Sequence, residues 1–216
     1  MRGRLYRTAL KLFARRGFEE TTLRDISAAA RVSTGLLYRY FPSKHAVVLA
    51  LYDELSHELA ARVERLPAGP WSRRALFVLR ESLAVLGPHR DVLQALIPVV
   101  VSRGDNGLMG PGTAFSRQRV QGAFERAATG KGAPTDDTLA LGRVLYLLHL
   151  AVILWWLLDE SKGQRATAAL VAMLERWAPG ADVLWLLPST RSVVRELDGL
   201  VEKAFPAMGR THRGGT

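Results

Sequence analysis

Between residues 22 and 44 the chain gathers side chains suited to holding phosphates. Thr22 and Ser33 put hydroxyls and free backbone N–H groups at the starts of two short helices, where anions bind well. Gly35 has no side chain to keep the second helix's backbone from a ligand. Tyr38 and Tyr40 carry phenolic O–H donors, and Lys44 opens the next helix with a cation. Each residue also has a plainer reading. Thr22 and Ser33 serve as caps alone, a tyrosine packs, and Arg39 or Lys44 is a solvated charge. The weight lies in the constellation of caps, glycine, aromatics and cations within about 25 residues.

Helical periodicity positions these residues. Leu5, Ala9, Leu12 and Phe13 form the apolar stripe of a first helix, which Gly17 stops. Thr22-Leu23-Arg24-Asp25 reads as a capping box for a helix over 23–30. Ser33 caps a helix over 34–40, which Pro42 stops. Ser43 caps a long helix over 44–66. Two short helices joined by a three- or four-residue turn have the spacing of a helix-turn-helix, whose second helix fits the major groove. Ile26, Ala30, Val32, Leu37 and Phe41 are the expected glue. Beyond the Pro67–Pro70 break, helices are expected over 72–86, 90–101, 112–129, 136–160, 164–177 and 190–205, with separators that include Pro179-Gly180 and Pro188. No stretch alternates as a strand, so the chain reads as all-α.

Charge follows the same division. The 216 residues carry 30 Lys/Arg against 20 Asp/Glu, a net +10. Ten of the cations and only three of the acids fall in residues 1–44, so that stretch holds +7. A basic head points to a polyanion, either nucleic acid or an anionic membrane surface. The absence of cysteine excludes disulfides, Cys-ligated metal and thiol catalysis. The histidines (His45, His57, His89, His149, His212) form no metal-binding spacing, and no P-loop or GxSxG elbow occurs. No enzyme, metal or cofactor is expected.

The run Thr22-Leu23-Arg24-Asp25-Ile26, then Val32-Ser33-x-Gly35-x-Leu37-Tyr38-Arg39-Tyr40-Phe41-Pro42-Ser43-Lys44, resembles the DNA-binding domain of tetracycline-repressor-type (TetR-family) regulators. The resemblance covers about residues 4–55. It implies phosphate contacts from Thr22, Ser33, Tyr38, Tyr40 and Lys44, and base-edge approach by Thr34, Gly35, Leu36 and Arg39. Arg39 would reach guanine and Leu36 a thymine methyl. Two positions depart from the family pattern. Arg31 stands where glycine is common in the turn, and Leu36 where a small hydroxyl residue is common. A left-handed arginine there costs about 1–2 kcal/mol.

The resemblance further implies a helix-turn-helix domain over 1–44, a connecting helix over 44–66, an effector-binding and dimerisation domain over 67–205, and a disordered tail over 206–216. The expected partners are double-stranded operator DNA, a small-molecule effector and a second copy of the chain. Repression is the family's usual sense. Candidate effector-lining residues are Phe77, Leu96, Phe115, Arg119, Phe124, His149 and Trp156, each of which also reads as core or, for Arg119, as a solvated face.

Val144–Leu158 contains no charged residue, so it must be buried all round. Leu148, Val152 and Trp155 would face a second subunit. Leu170, Met173, Leu174 and Trp177 on the next helix would complete a four-helix bundle. Lipid is the alternative cover, giving a membrane-surface or helical adaptor with a basic head. Gly142, Arg143 and His149 interrupt the 139–158 stretch, and its uninterrupted part falls short of the roughly 20 apolar residues of a span. Lys11, Arg15 and Arg16 interrupt the first helix, so it is no signal-peptide core. A cytoplasmic protein is expected, in which tilting of the long helix changes the distance between two recognition helices.

Overall fold

The computed structural model describes residues 1–102 and 104–206; the regular structure among them is all helical, with no strand. The expected tail over 206–216 lies, apart from Pro206, outside the described residues. Eleven α-helices are described, and two compact units divide the chain. One holds residues 1–55 and 87–114, the other residues 56–86 and 115 onward. The first unit therefore takes in 87–114, which the sequence grouped with the second domain.

In the first unit, α1 (Arg2–Arg16) buries Leu5, Ala9, Leu10 and Phe13. Gly17 ends it at φ 88, a backbone state that suits glycine, and its N–H reaches the Phe13 carbonyl at 2.9 Å. Phe18 then folds back edge-on to Phe13 with 5.1 Å between ring centres. Next come α2 (Leu23–Ala29), α3 (Thr34–Tyr40) and the start of α4 (Lys44–Val63). Ile26, Leu37, Phe41, Val47 and Leu51 are fully or almost fully buried and hold these helices together; Val32 is only half-buried. The expected 90–101 helix is two short ones, α6 (Arg90–Ala95) and α7 (Ile97–Val100). Pro98 lacks the N–H that would meet the Gln94 carbonyl, so the turn cannot continue. α6 packs on α1.

The second unit contains α5 (Trp71–Leu86), α8 (Ala114–Thr129), α9 (Asp136–Leu158), α10 (Arg165–Leu184) and α11 (Pro188–Ala204). Thr135 caps α9 and is itself capped by Thr138. Gly142 lets α9 close against α8, because a Cβ there would lie 2.6 Å from the Glu125 Cα. α10 continues through Pro179-Gly180 to Leu184, seven residues beyond the expected end. Pro179 removes only the donor for the Glu175 carbonyl, and packing of α10 on α5 holds the helix together. α11 lies along α9, where Arg143 grips Asp198 through Nε at 2.6 Å and through Nη2.

The 23-residue α9 is long and apolar enough by length and composition to cross a membrane, with a mean hydropathy of 1.9 over its most apolar window. Only with Gly142, Arg143 and His149 included does the stretch reach that length. In the fold, Tyr146, His149, Val152 and Trp156 of this helix are buried within the chain, and Arg143 is paired. Those features are those of a core helix.

Candidate functional site

The first unit forms a basic surface. Arg2, Arg4, Arg7, Lys11, Arg15, Arg16, Arg24, Arg31 and Arg39 are all exposed. The turn between α2 and α3 closes as the capping chemistry demands. Thr22 accepts from the Asp25 N–H at 3.1 Å, while the Thr22 N–H donates back to the Asp25 carboxylate at 2.8 Å. The Thr22 hydroxyl also donates to that carboxylate at 2.6 Å. These bonds hold the Asp25 carboxyl below the usual carboxylate range, so Asp25 stays charged beside Thr22. Arg31 sits in the left-handed region at φ 52, the glycine-like state that its place in the turn requires.

α3 presents one apolar and one polar side. Leu37 is fully buried, whereas Tyr38 is 53% and Tyr40 37% exposed. Arg39, Gly35 and Ser33 are exposed, and Thr34 and Leu36 half-buried. Ser33 accepts from the Leu36 N–H at 3.2 Å. Thr34 shares a hydrogen bond of 3.2 Å with Ser27. The Lys44 ammonium is engaged within the protein. It donates to the Phe18 carbonyl at 2.9 Å and the Glu19 carbonyl at 3.1 Å, and sits 4.4 Å from the Phe18 ring centre. Lys44 therefore locks the loop that precedes α2, a role whose partners lie 25 residues away and which the sequence did not signal.

The second unit contains a cavity of about 160 Å³ between α5, α8, α9 and α10. Of the expected effector residues, Phe124 and His149 line it. The other five are elsewhere. Leu96 is fully buried in the first unit. Trp156 is buried and donates its indole N–H to Gln164 at 2.7 Å. Phe77 is half-buried on α5. Arg119 donates to Ser56 at 2.6 Å, lies 6.0 Å from the Phe115 ring centre, and borders a second, polar cavity with His57, Gln118, Glu125 and Arg126. Leu148, Leu174 and Trp177, expected at the dimer face, line the first cavity instead or as well. Trp71, at the head of α5, lines it too; only its place after Pro70 could have drawn notice.

His149 packs 5.0 Å from the Phe124 ring centre, and its Nε2 is 2.8 Å from the Ser82 hydroxyl. Burial lowers its pKa to about 3, so the ring is neutral at pH 7. The unfolded histidine takes up a proton below about 6.5 and the folded one resists it, so stability is complete above 6.5 and is lost as pH falls towards 3. Urea unfolding at pH 7 and pH 5 should show this loss, at up to about 1.4 kcal/mol per pH unit. A His149→Leu chain should lose less over that interval; an equal loss in both chains would assign the titration to another group.

The second unit also exposes apolar side chains on three helices. On α9 these are Leu148, Leu154, Trp155 (51%) and Leu158 (61%); on α10, Met173 and Trp177 (69%). Leu170 and Leu174 are half-buried, and Val152 is buried within the chain. α11 adds Val193, Leu197 and Leu200, at helical spacing that the sequence carried in plain view.

Residues 5–51 match the model of the family described as bacterial regulatory proteins, tetR family. An uncharacterized HTH-type transcriptional regulator of Bacillus subtilis, YuxN, is 33% identical over 87 residues, which are 40% of this chain and 28% of that protein. The HTH-type transcriptional repressor KstR of Rhodococcus jostii is 29% identical over 168 residues, 74% of each chain. A TetR transcriptional regulator of Nitrosomonas europaea has a similar fold, with a TM-score of 0.62 at 23% identity over 84% of this chain and 97% of that one.

Proposed function

Because this chain belongs to the tetR family of bacterial regulatory proteins and is a DNA-binding transcriptional regulator, we propose that it is a cytoplasmic homodimer that represses from an operator and releases it when a small molecule fills the cavity beside His149. The observation that carries this reading is the two-sided α3. Leu37 anchors it, and Tyr38, Arg39 and Tyr40 stand out from a surface of exposed cations. Tyr38, Tyr40 and Ser33 contact phosphates, Thr22 spends its donors on Asp25 and caps α2, and Lys44 holds the loop that precedes α2. Thr34, Gly35, Leu36 and Arg39 approach base edges. The likeness to a repressor supports the sign of regulation.

Release is a matter of differential affinity. The effector must bind the DNA-incompetent conformation more tightly by a few kcal/mol, and operator DNA then weakens effector binding by the same factor.

The test is selection of duplexes from a random pool, followed by anisotropy titration. A duplex with two half-sites about 34–36 Å apart should bind at least 10³-fold tighter than a scrambled one, with affinity falling linearly in log salt. Equal binding to both duplexes, or a protein that pellets with vesicles and needs detergent, overturns the reading. Within the interface, Tyr38→Phe should weaken binding to every sequence alike. Arg39→Ala should cost about 1–3 kcal/mol and relax preference at one base pair only. Uniform weakening by Arg39→Ala would place that arginine on a phosphate.

A further inference from the structure

Resting on the reading of the cavity as the effector site, we infer that its ligand is an uncharged, hydrocarbon-like molecule of single-ring size, held by shape and apolar contact with no hydrogen bond to the protein. The cavity volume of about 160 Å³ sets the size. An engineered apolar cavity of roughly 150 Å³ admits benzene and stays dry.

The wall sets the polarity. No Lys, Arg, Asp or Glu lines it, and its surface is almost wholly that of Leu, Ala, Phe and Trp side chains. An anion or cation would lose its hydration with no opposite charge in return. The polar side chains in the wall are shut away from its occupant. The Ser72 hydroxyl, in a side chain that is itself buried, donates to Asp182 at 2.5 Å. His149 spends Nε2 on the Ser82 hydroxyl at 2.8 Å. The remaining ring nitrogen, Nδ1, is too deeply buried for any water-sized group to touch, and so is Trp71 Nε1. His149 adds no charge either, because burial keeps its ring neutral at pH 7.

A polar group on the ligand would therefore give up water and find no partner. The site selects by withholding hydrogen bonds. What remains is apolar area, contributed by Leu76, Leu79, Phe124 and Leu145 among others. Leu148 and Trp177 lie in the same wall and are 45% and 69% exposed, so the wall reaches the surface on their side and gives a ligand its way in.

Calorimetry on the full chain without DNA tests this with p-xylene and hydroquinone, which match in shape because each hydroxyl replaces a methyl, and with biphenyl, which has a second ring. One p-xylene should bind per chain. Hydroquinone, which must bury at least one hydroxyl, should bind at least about a hundredfold more weakly. Biphenyl should bind at least about tenfold more weakly than p-xylene, because the cavity is too small for two rings. Ala178→Leu adds a side chain to the wall from α10 and should weaken p-xylene at least about tenfold. Hydroquinone as tight as p-xylene, biphenyl as tight or tighter, no binding of p-xylene, or unchanged p-xylene affinity in a folded Ala178→Leu chain would each overturn the inference. If that variant does not fold, the wild-type ratios decide alone. Adding p-xylene to the operator complex separates the two readings. Binding without operator release keeps the ligand chemistry and removes the effector role.

Discussion

Replacing Trp177 with glutamate should leave a folded monomer whose operator affinity is lower by about a hundredfold or more. Trp177 is 69% exposed in the protomer, on the helix that also exposes Met173. The same unit exposes Leu148, Trp155 and Leu158 of α9. Apolar surface of this kind gains about 25 cal/mol for each Å² removed from water, and isolated soluble proteins do not leave large contiguous patches of it uncovered. A second copy is the cover that a two-half-site operator asks for. Tryptophans dominate such interfaces, and losing one at the centre costs about 2 kcal/mol or more before any charge is added. A glutamate there would have to be buried unpaired.

In the proposed dimer, the loss in DNA affinity comes from separation of the two heads. Two linked modules exceed one by about 10²–10⁴ in affinity without any new contact. Sedimentation velocity at micromolar protein, paired with anisotropy on the selected duplex, checks both halves. Since Trp177 also lines the cavity, Leu158→Glu is the companion. Leu158 is 61% exposed and lies outside the lining, and should have the same effect. Dimers in both variants would remove α9 and α10 from the interface.

The parts of this design that could be read from the sequence are those whose chemistry closes within a few residues. Thr22 and Asp25 satisfy each other across three positions, and Ser33 caps across three, so the two short helices and their turn were legible. Arg31 could be read as strained for the same reason, because the turn dictates its φ locally. The face of α9 could not be read. A helix apolar at almost every position offers no polar side to set its rotation, so the buried Val152 and the exposed Leu148 look alike in sequence. Pro98 and Pro179 show the same limit from another side. Both remove a backbone donor, yet one divides a helix and the other sits inside a helix that α5 supports. Lys44 and Trp71 were illegible as structural parts because their surroundings come from distant segments. Lys44 answers two carbonyls that precede it by 25 and 26 residues, and Trp71 stands in a wall shared by four helices.

Asp198→Ala should lower the stability of the second unit by about 2–3 kcal/mol, or roughly 5–10 °C in Tm. Arg143 and Asp198 form a two-pronged pair in which the side chains are only 20% and 10% exposed. The carboxylate hydrogen bonds raise the Arg143 pKa, so the guanidinium is charged at every working pH. Removing Asp198 leaves that charge in a largely dry groove between α9 and α11, without the acceptor that made burial tolerable. A fully buried pair broken this way costs about 3–5 kcal/mol, and the residual exposure of Arg143 accounts for the smaller figure. The pair itself is a different quantity from the cost of breaking it. Arg143→Met combined with Asp198→Leu fills the groove with apolar side chains and should come within about 1 kcal/mol of the parent, because the desolvation of both charges disappears along with their attraction. Asp198→Asn keeps one acceptor and should fall between the two. Thermal and urea unfolding of the four chains separates these cases, and the single Arg143→Met and Asp198→Leu chains complete a double-mutant cycle that gives the coupling. If Asp198→Ala melts within 1 °C of the parent, Arg143 has found water, and α11 is held to α9 by its other contacts, the Arg195–Asp137 pair among them.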